Sequence, residues 1–481
     1  LGGVGNITIK ARSLSLKDGK LEALNQGNLP AANITVNATD FVEISGVKRL
    51  SGIFTETKLG SQDLRDNKST GGTIEITTGK LTVSNDSFIS TRGIGGFPGG
   101  DIIVEAKEVE VTQGAQILAN ALNTNDENDG NVSNAGNIRI NASEQVIVSG
   151  SDPNSSPTVD RIKDRRKQKQ EELDREDQEI KIETGKILAQ RVHLAQLEEQ
   201  KDKLPEEEIE QRREDAKQRR EDAKQRREDA KQRKIEIELE ASNDILLIQD
   251  DIPQSRIAVA AIGGNNAGDL TVTTKNLTVE DGAQISVSAV PLNQDSFPDT
   301  EVPDSERGVA GKLTIKAESL TLDNGKLLAA TGKNSDNNQQ DQEAATIDIN
   351  VSGLTTLDNN SLILADATGD KVKGGNITIE GGFLILLPSD GETGNDIVAN
   401  AQQGQGGEIK ITLQGLFGNF TSQQGLTRFN DISAISLTGD LSLSGLLEIN
   451  SAINPGDDPE NLPTSTVDPS ELIVANCPRS G

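Results

Sequence analysis

Gly5-Asn6-Ile7-Thr8-Ile9-Lys10-Ala11, followed by Leu14-Ser15-Leu16 and Leu21-Glu22-Ala23, decides the fold because the chain repeats it along its length. Further copies open at Ala32-Asn33-Ile34-Thr35-Val36, Gly71-Gly72-Thr73-Ile74-Glu75-Ile76, Gly99-Gly100-Asp101-Ile102 and Ala135-Gly136-Asn137-Ile138-Arg139-Ile140. Beyond a charged interruption the openings are Ala267-Gly268-Asp269-Leu270, Ala310-Gly311-Lys312-Leu313, Ala345-Thr346-Ile347, Gly374-Gly375-Asn376-Ile377 and Gly406-Gly407-Glu408-Ile409. Self-similarity at a spacing of about 25 to 36 residues predicts stacked units, since one short apolar strand set cannot bury its own face and must lie on the next copy.

Each copy carries three short runs of alternating Ile, Val, Leu and Thr, separated by Gly, Asn and Asp, which is strand chemistry and not helical spacing. Three strands per repeat imply an all-β chain wound as a parallel β-helix. In the copy at Gly374 the inward residues are Ile377 and Ile379, with Thr378 and Glu380 toward solvent. Asn324-Gly325 and Asp281-Gly282 supply the positive φ that corners need. The Asn or Asp before many of these strands (Asn6, Asn33, Asp101, Asn137, Asp269, Asn376) is expected to stack into a polar ladder, which we read as structural because its period is the repeat period.

There is no Trp, Tyr or Met and only 9 Phe in 481 residues, so the interior is built from small aliphatic side chains. About ten repeats at roughly 4.8 Å each give a stack of about 50 Å. The net charge is −28. Residues 158–240 hold 23 Lys and Arg against 25 Asp and Glu, which leaves 25 against 51 elsewhere, so the acidity belongs to the β-rich parts.

That charged stretch breaks the repeat. Arg213-Glu214-Asp215-Ala216-Lys217-Gln218-Arg219 recurs as 220–226 and 227–233, without Gly or Pro, and predicts a helix supported by the i,i+4 pairs Asp215 with Arg219, Asp222 with Arg226 and Asp229 with Arg233. Ile209, Ala216, Ala223, Ala230 and Ile237 form a stripe of one apolar residue per seven, thinner than a coiled-coil seam, and its alanines are expected to bury little. Upstream lie Ile162, Leu173, Ile180, Ile187, Leu188, Val192, Leu194 and Leu197, interrupted by Gly185, and Leu204-Pro205 reads as a turn. A charged helical hairpin of about 60 Å follows, if an arm of roughly 40 residues is continuous. Ser255-Arg256-Ile257-Ala258-Val259 aligns with Ser51-Gly52-Ile53-Phe54-Thr55, so the segment reads as an insertion into one repeat. The expected domains are 1–150 and 254–455 as two parts of the β-helix, 151–253 as the helical insertion, and 456–481 as an irregular tail.

The GGNITI-type openings, the Val146-Ile147-Val148-Ser149-Gly150 strand end, Asn395-Asp396-Ile397-Val398-Ala399-Asn400-Ala401 and the tail from Val467 to Cys477-Pro478 resemble cyanobacterial filamentous-haemagglutinin-like exoproteins of the two-partner secretion type, some of them S-layer family proteins. The resemblance covers nearly the whole chain outside the insertion. It implies a right-handed β-helix, export through a partner pore in the outer membrane, and an adhesin-like role outside the cell. With Leu1 inside a repeat, and neither a signal peptide nor an N-terminal secretion domain, the chain is expected to be a fragment of a longer exoprotein.

Catalytic chemistry finds little footing. His193 is the only His and lies in the charged helix, and Cys477 is the only Cys, so neither a triad nor a metal set nor an intrachain disulfide is expected. Gly93-Ile94-Gly95-Gly96-Phe97-Pro98-Gly99-Gly100-Asp101 lacks the Lys-Ser/Thr of a phosphate loop and reads as a corner. The acidic clusters Asp295 to Glu306 and Asp457-Asp458-Pro459-Glu460 read as solvated loops, and the sequons at Asn6, Asn33, Asn141 and Asn376 follow from the strand grammar. Acidity argues against nucleic acid, and no stretch has the apolar length of a membrane span. The expected function is binding without catalysis or cofactor, as a secreted adhesin-like or scaffold exoprotein. A polysaccharide-acting β-helix enzyme and a purely structural S-layer or sheath component are the alternatives.

Overall fold

The structure is a computed structural model, and it describes residues 5–25, 31–46, 51–58, 71–94, 97–122, 134–150, 175–176, 178–190, 206–247, 254–290, 308–332, 345–369, 371–388, 393–422 and 426–453. Outside the helical segments these residues build two long parallel sheets. The first holds β1 (Ile7–Lys17), β3 (Ile34–Ser45), β5 (Ile74–Ser84), β7 (Ile102–Thr112), β9 (Ile138–Ser149), β11 (Leu270–Thr273) with β12 (Asn276–Glu280), β14 (Lys312–Asp323), β16 (Thr346–Asp358), β18 (Asn376–Leu386), β20 (Glu408–Phe417) and β23 (Leu446–Ile453). The second holds β2 (Lys20–Asn25), β4 (Gly52–Lys58), β6 (Phe88–Ile94), β8 (Gln116–Leu122), β10 (Arg256–Ile262), β13 (Gln284–Ser288), β15 (Lys326–Thr331), β17 (Leu362–Ala367), β19 (Asp396–Val398), β22 (Asp431–Ser433) and β21 (Thr421–Ser422). Up to β19 the chain serves the two sheets in turn, and each strand pairs with its counterpart one repeat away.

The expectation of three strands per repeat is corrected to two sheets. The IxI and LxL runs fuse into one long strand with a register slip between them, at Ala11/Ser13 against β3 and at Ala317/Ser319 against β16. Within β5 the buried residues change from even to odd positions, Ile74 and Ile76 and then Leu81 and Val83, so both runs send their aliphatic residues inward. Only β11 and β12 remain separate. The side of the repeat after the second sheet carries isolated bridges, Asn134 with Asn266 and Ala367 with Ala401 with Ser436.

Register turns the repeated phrase into columns. Ile34, Ile74, Ile102, Ile138, Leu270 and Leu313 are successive partners in the first sheet. Ile53, Ile89, Ile117, Ile257, Ile285 and Leu327 do the same in the second. Both columns are solvent-free and belong to one apolar cluster. As expected, Ile377 and Ile379 are buried while Glu380 is exposed. The glycine at several openings has a steric cause: a Cβ on Gly136 would strike the Gly100 carbonyl, and one on Gly407 the Gly375 carbonyl. The corner into the second sheet uses left-handed residues, Asp281, Gly282 and Asn324 among them.

Polar ladders accompany the apolar columns. Asn6 Oδ1 accepts from Asn33 N at 3.0 Å, Asn33 Oδ1 from Thr73 N at 2.8 Å, Asp101 Oδ1 from Asn137 N at 2.7 Å, Asn137 Oδ1 from Asp269 N at 2.9 Å and Asp269 Oδ1 from Lys312 N at 2.8 Å. Asn376 departs from this pattern, its Oδ1 having no partner among the described residues.

The helical segments leave and return at one corner. Gly150 ends the turn after β9 with φ 77°, and its carbonyl accepts from Ser255 N at 2.9 Å immediately before β10. β10 then pairs with β8 on one side and β13 on the other, so the register runs on across the insertion. Helix covers residues 178–190, through Gly185, and Glu206–Leu247. Arg226 pairs with Glu183 at 3.4 Å, and Arg233 with Glu176 at 3.1 Å and Glu179 at 2.9 Å, so the two arms run antiparallel. Two expectations change. Ala216, Ala223 and Ala230 are 2%, 1% and 0% exposed, because a methyl lets the arms approach closely. Asp222 and Asp229 accept from Gln218 and Gln225, while Arg226 and Arg233 reach across to the other arm.

Candidate binding surface

The outward faces of the two sheets differ. On the first, Glu75, Glu105, Arg139, Glu380 and Lys410 are exposed. Lys80 bonds Glu110 at 2.5 Å and Glu108 at 3.4 Å, which holds its ammonium pKa above the usual value, and Lys312 pairs with Asp348. Such solvated pairs contribute about 0 to 1 kcal/mol each.

On the second sheet β2 is still partly exposed, but further along both faces are buried: every residue of β6, β13 and β17 is buried. Its outward side changes chemistry along the stack. Near β4 and β6, Phe54 and Phe88 lie 5.5 Å apart, Lys20 and Arg92 sit over the Phe54 ring, and Arg92 pairs with Glu56 at 3.8 Å. On β8, β10 and β13 come Gln116, Asn120, Arg256 and Gln284, all buried, with Gln284 bonded to Gln254 at 3.1 Å. Asn120 is 1% exposed, and neither its Nδ2 nor its Oδ1 has a partner among the described residues. Further on, Leu328, Leu362, Leu364 and Val398 make a separate apolar cluster.

Three carboxylates close this face. Burial pushes the Asp366 carboxyl up to about 7 against the pull of the Ala367 N–H, and one of its oxygens has no partner among the described residues. Burial likewise pushes Asp396 up to about 7, opposed by the Asp431 N–H and aided by the Asp431 charge. Asp431 N donates to Asp396 Oδ1 at 2.9 Å, while Asp431 itself accepts from Thr421 and from Thr427 N at 2.6 Å. Beside them Asn430 Oδ1 accepts from Asn395 N, and Asn395 Oδ1 from Ser361 N, both at 2.9 Å. Leu362 pairs with Asp396, so Asp366, four positions on, lies about 13 Å further along the sheet. Asp366 and Asp396 are therefore too far apart to share one reacting bond, and Asp396 with Asp431 is a buried pair whose oxygens accept from two backbone N–H groups and the Thr421 hydroxyl.

Sequence reasoning passed over Arg92, Asn120, Asp366 and Asp431, and quoted Asp396 only as part of a repeated phrase. The signal available was positional: Asp396 and Asp431 both stand directly before a core Ile, Ile397 and Ile432. Of the features it did weigh, His193, Cys477 and both acidic clusters lie outside the described residues. Within the glycine-rich stretch a Cβ on Gly93 would strike the Phe97 and Pro98 carbonyls, which is corner geometry. Asn6 and Asn33 are ladder members, and Asn141 donates to Glu105 at 2.6 Å. Among the described residues no group of three His, Cys, Asp or Glu is placed to hold a metal ion, and no helix is long and apolar enough to cross a membrane. Protein-family models, curated proteins and solved structures were all compared with the chain, and none matches it.

Proposed function

We propose that this chain is a right-handed parallel β-helix serving as a secreted cell-surface scaffold or adhesin-like exoprotein, acting by binding and not by catalysis. The observation that carries the reading is the unbroken in-register pairing of repeats on both sides of a helical insertion, which offers a partner a long, regular surface and leaves the side chains fixed. The resemblance to two-partner secretion exoproteins supplies export through an outer-membrane pore, with cell-surface glycans or proteins as the partner class. An array of immobilised glycans and whole cells, probed with the full chain and with a chain lacking 151–253, tests it: saturable binding that survives the deletion is expected, and absence of binding to any surface refutes it.

One observation favours the second reading, a polysaccharide-acting enzyme. Asp396 and Asp431 are adjacent carboxylates, one of them with a near-neutral pKa, as a general acid requires. Turnover of pectin or alginate abolished by Asp396→Asn would establish it.

A further inference from the structure

The two helical arms share one period. The long helix repeats Ala-x-x-Arg at heptad spacing, as Ala216/Arg219, Ala223/Arg226 and Ala230/Arg233. The arm beside it repeats Glu-x-x-x-Ile at the same spacing, as Glu176/Ile180 and Glu183/Ile187, with Gln190 in the next Glu position. The observed ion pairs set Arg233 against Glu176 and Arg226 against Glu183, which places Ala230 level with Ile180, Ala223 with Ile187 and Arg219 with Gln190. Gln190 Oε1 is buried without a partner among the described residues, so this register leaves one facing position unused.

A slide of one heptad in one direction brings Arg219 to Glu183 and Arg226 to Glu176, with Ala216 and Ala223 taking the places of Ala223 and Ala230. Both carboxylates keep a guanidinium and the seam keeps its alanines. A slide in the other direction sets Arg226 against Gln190 and leaves Glu176 without an arginine. Ordinary helix pairs are held in one register by an aperiodic pattern of large and small or charged residues. Here that discrimination is missing in one direction only.

We propose that the helical insertion is a two-register device, in which the long helix steps by one heptad, about 10 Å, along the upstream arm without losing a cross-arm ion pair. A displacement at one end of the hairpin is thereby delivered to the other as a discrete step and not as unwinding.

The full chain with Cys477→Ser provides the background. Ile180→Cys with Ala230→Cys reports the observed register, and Ile180→Cys with Ala223→Cys the slid one, each read as intrachain disulfide yield by peptide mapping. Both disulfides are expected to form. Arg233→Glu sets like charges together only in the observed register and should raise the ratio of slid to observed yield about fivefold, the size of one exposed ion pair. Arg219→Glu disturbs only the slid register and should lower the ratio. Failure of the Ala223→Cys pair to close, or a ratio that is the same in both charge variants, overturns the proposal.

Discussion

Asp366→Asn should lessen the weakening of the protein as pH rises. Asp366 is 5% exposed, and burial raises its carboxyl to about 7 from an unfolded value of 3.8. A raised acid binds its proton more tightly in the folded state, so its contribution is fully present below pH about 4 and is lost as pH climbs toward 7. A difference of about 3 pKa units at 1.36 kcal/mol per unit sets an upper limit of about 4 kcal/mol on the stability lost between pH 4 and 8. Relaxation and entering water reduce that figure, so 1 to 2 kcal/mol is the expected order of magnitude. The amide keeps the shape and cannot ionise. Urea unfolding at intervals from pH 5 to 8, with hydrogen exchange of the β17 amides as a local reading, should show a steeper fall of the midpoint in the natural chain than in the variant, where Asp396 still ionises. Parallel pH profiles in the two proteins would refute the argument, because burial of an ionising Asp366 would then cost nothing. Asp396→Asn should act in the same direction.

Gly407→Ala places a Cβ against the Gly375 carbonyl and should cost at least about 2 kcal/mol of stability, measured by urea titration, whereas Gly439→Ala, with open space around it, should cost less in spite of its φ of 81°. Ile257→Ala opens a cavity in the column that spans the insertion and should cost about 2 to 5 kcal/mol, with lost exchange protection in β8, β10 and β13. Removing 151–253 should abolish the helical circular dichroism signal and keep the β signal; loss of both would show that β10 depends on the helices.

The first sheet was legible because its strands obey one rule: Ile377, Thr378, Ile379 and Glu380 alternate in sequence and alternate in burial. The ladder through Asn33, Asn137 and Asp269 was legible for the same reason, as a polar residue recurring with the repeat. The second sheet hid its outward face. Leu362-Ile363-Leu364-Ala365-Asp366-Ala367 has no clean alternation, and a sequence pattern cannot say that a face is covered as well as filled. Asp366 and Asp396 then looked like ordinary members of a −28 chain, since only burial separates them from the solvated acids. The alanine stripe misled for another reason. A methyl buries little area by itself, at about 0.8 kcal/mol, and its effect is to permit close approach of a second helix, which depends on the other arm. Fusion of the first two runs into one strand escaped because they do not share one alternation, Ile7 and Ile9 standing at odd positions and Leu14 and Leu16 at even ones.

The hydrogen bond from Ser255 N to the Gly150 carbonyl, 2.9 Å long, fixes the two points at which the chain leaves and rejoins the strands, at a corner whose neighbours remain paired. For the stack such a closure is a socket. Any folded module whose termini lie side by side fits it, and an antiparallel helix pair meets that demand because both its ends fall at the same level. The backbone records only that the loop closes, so the hairpin's length, charge and heptad number are free to change by duplication while the strands on either side stay as they are.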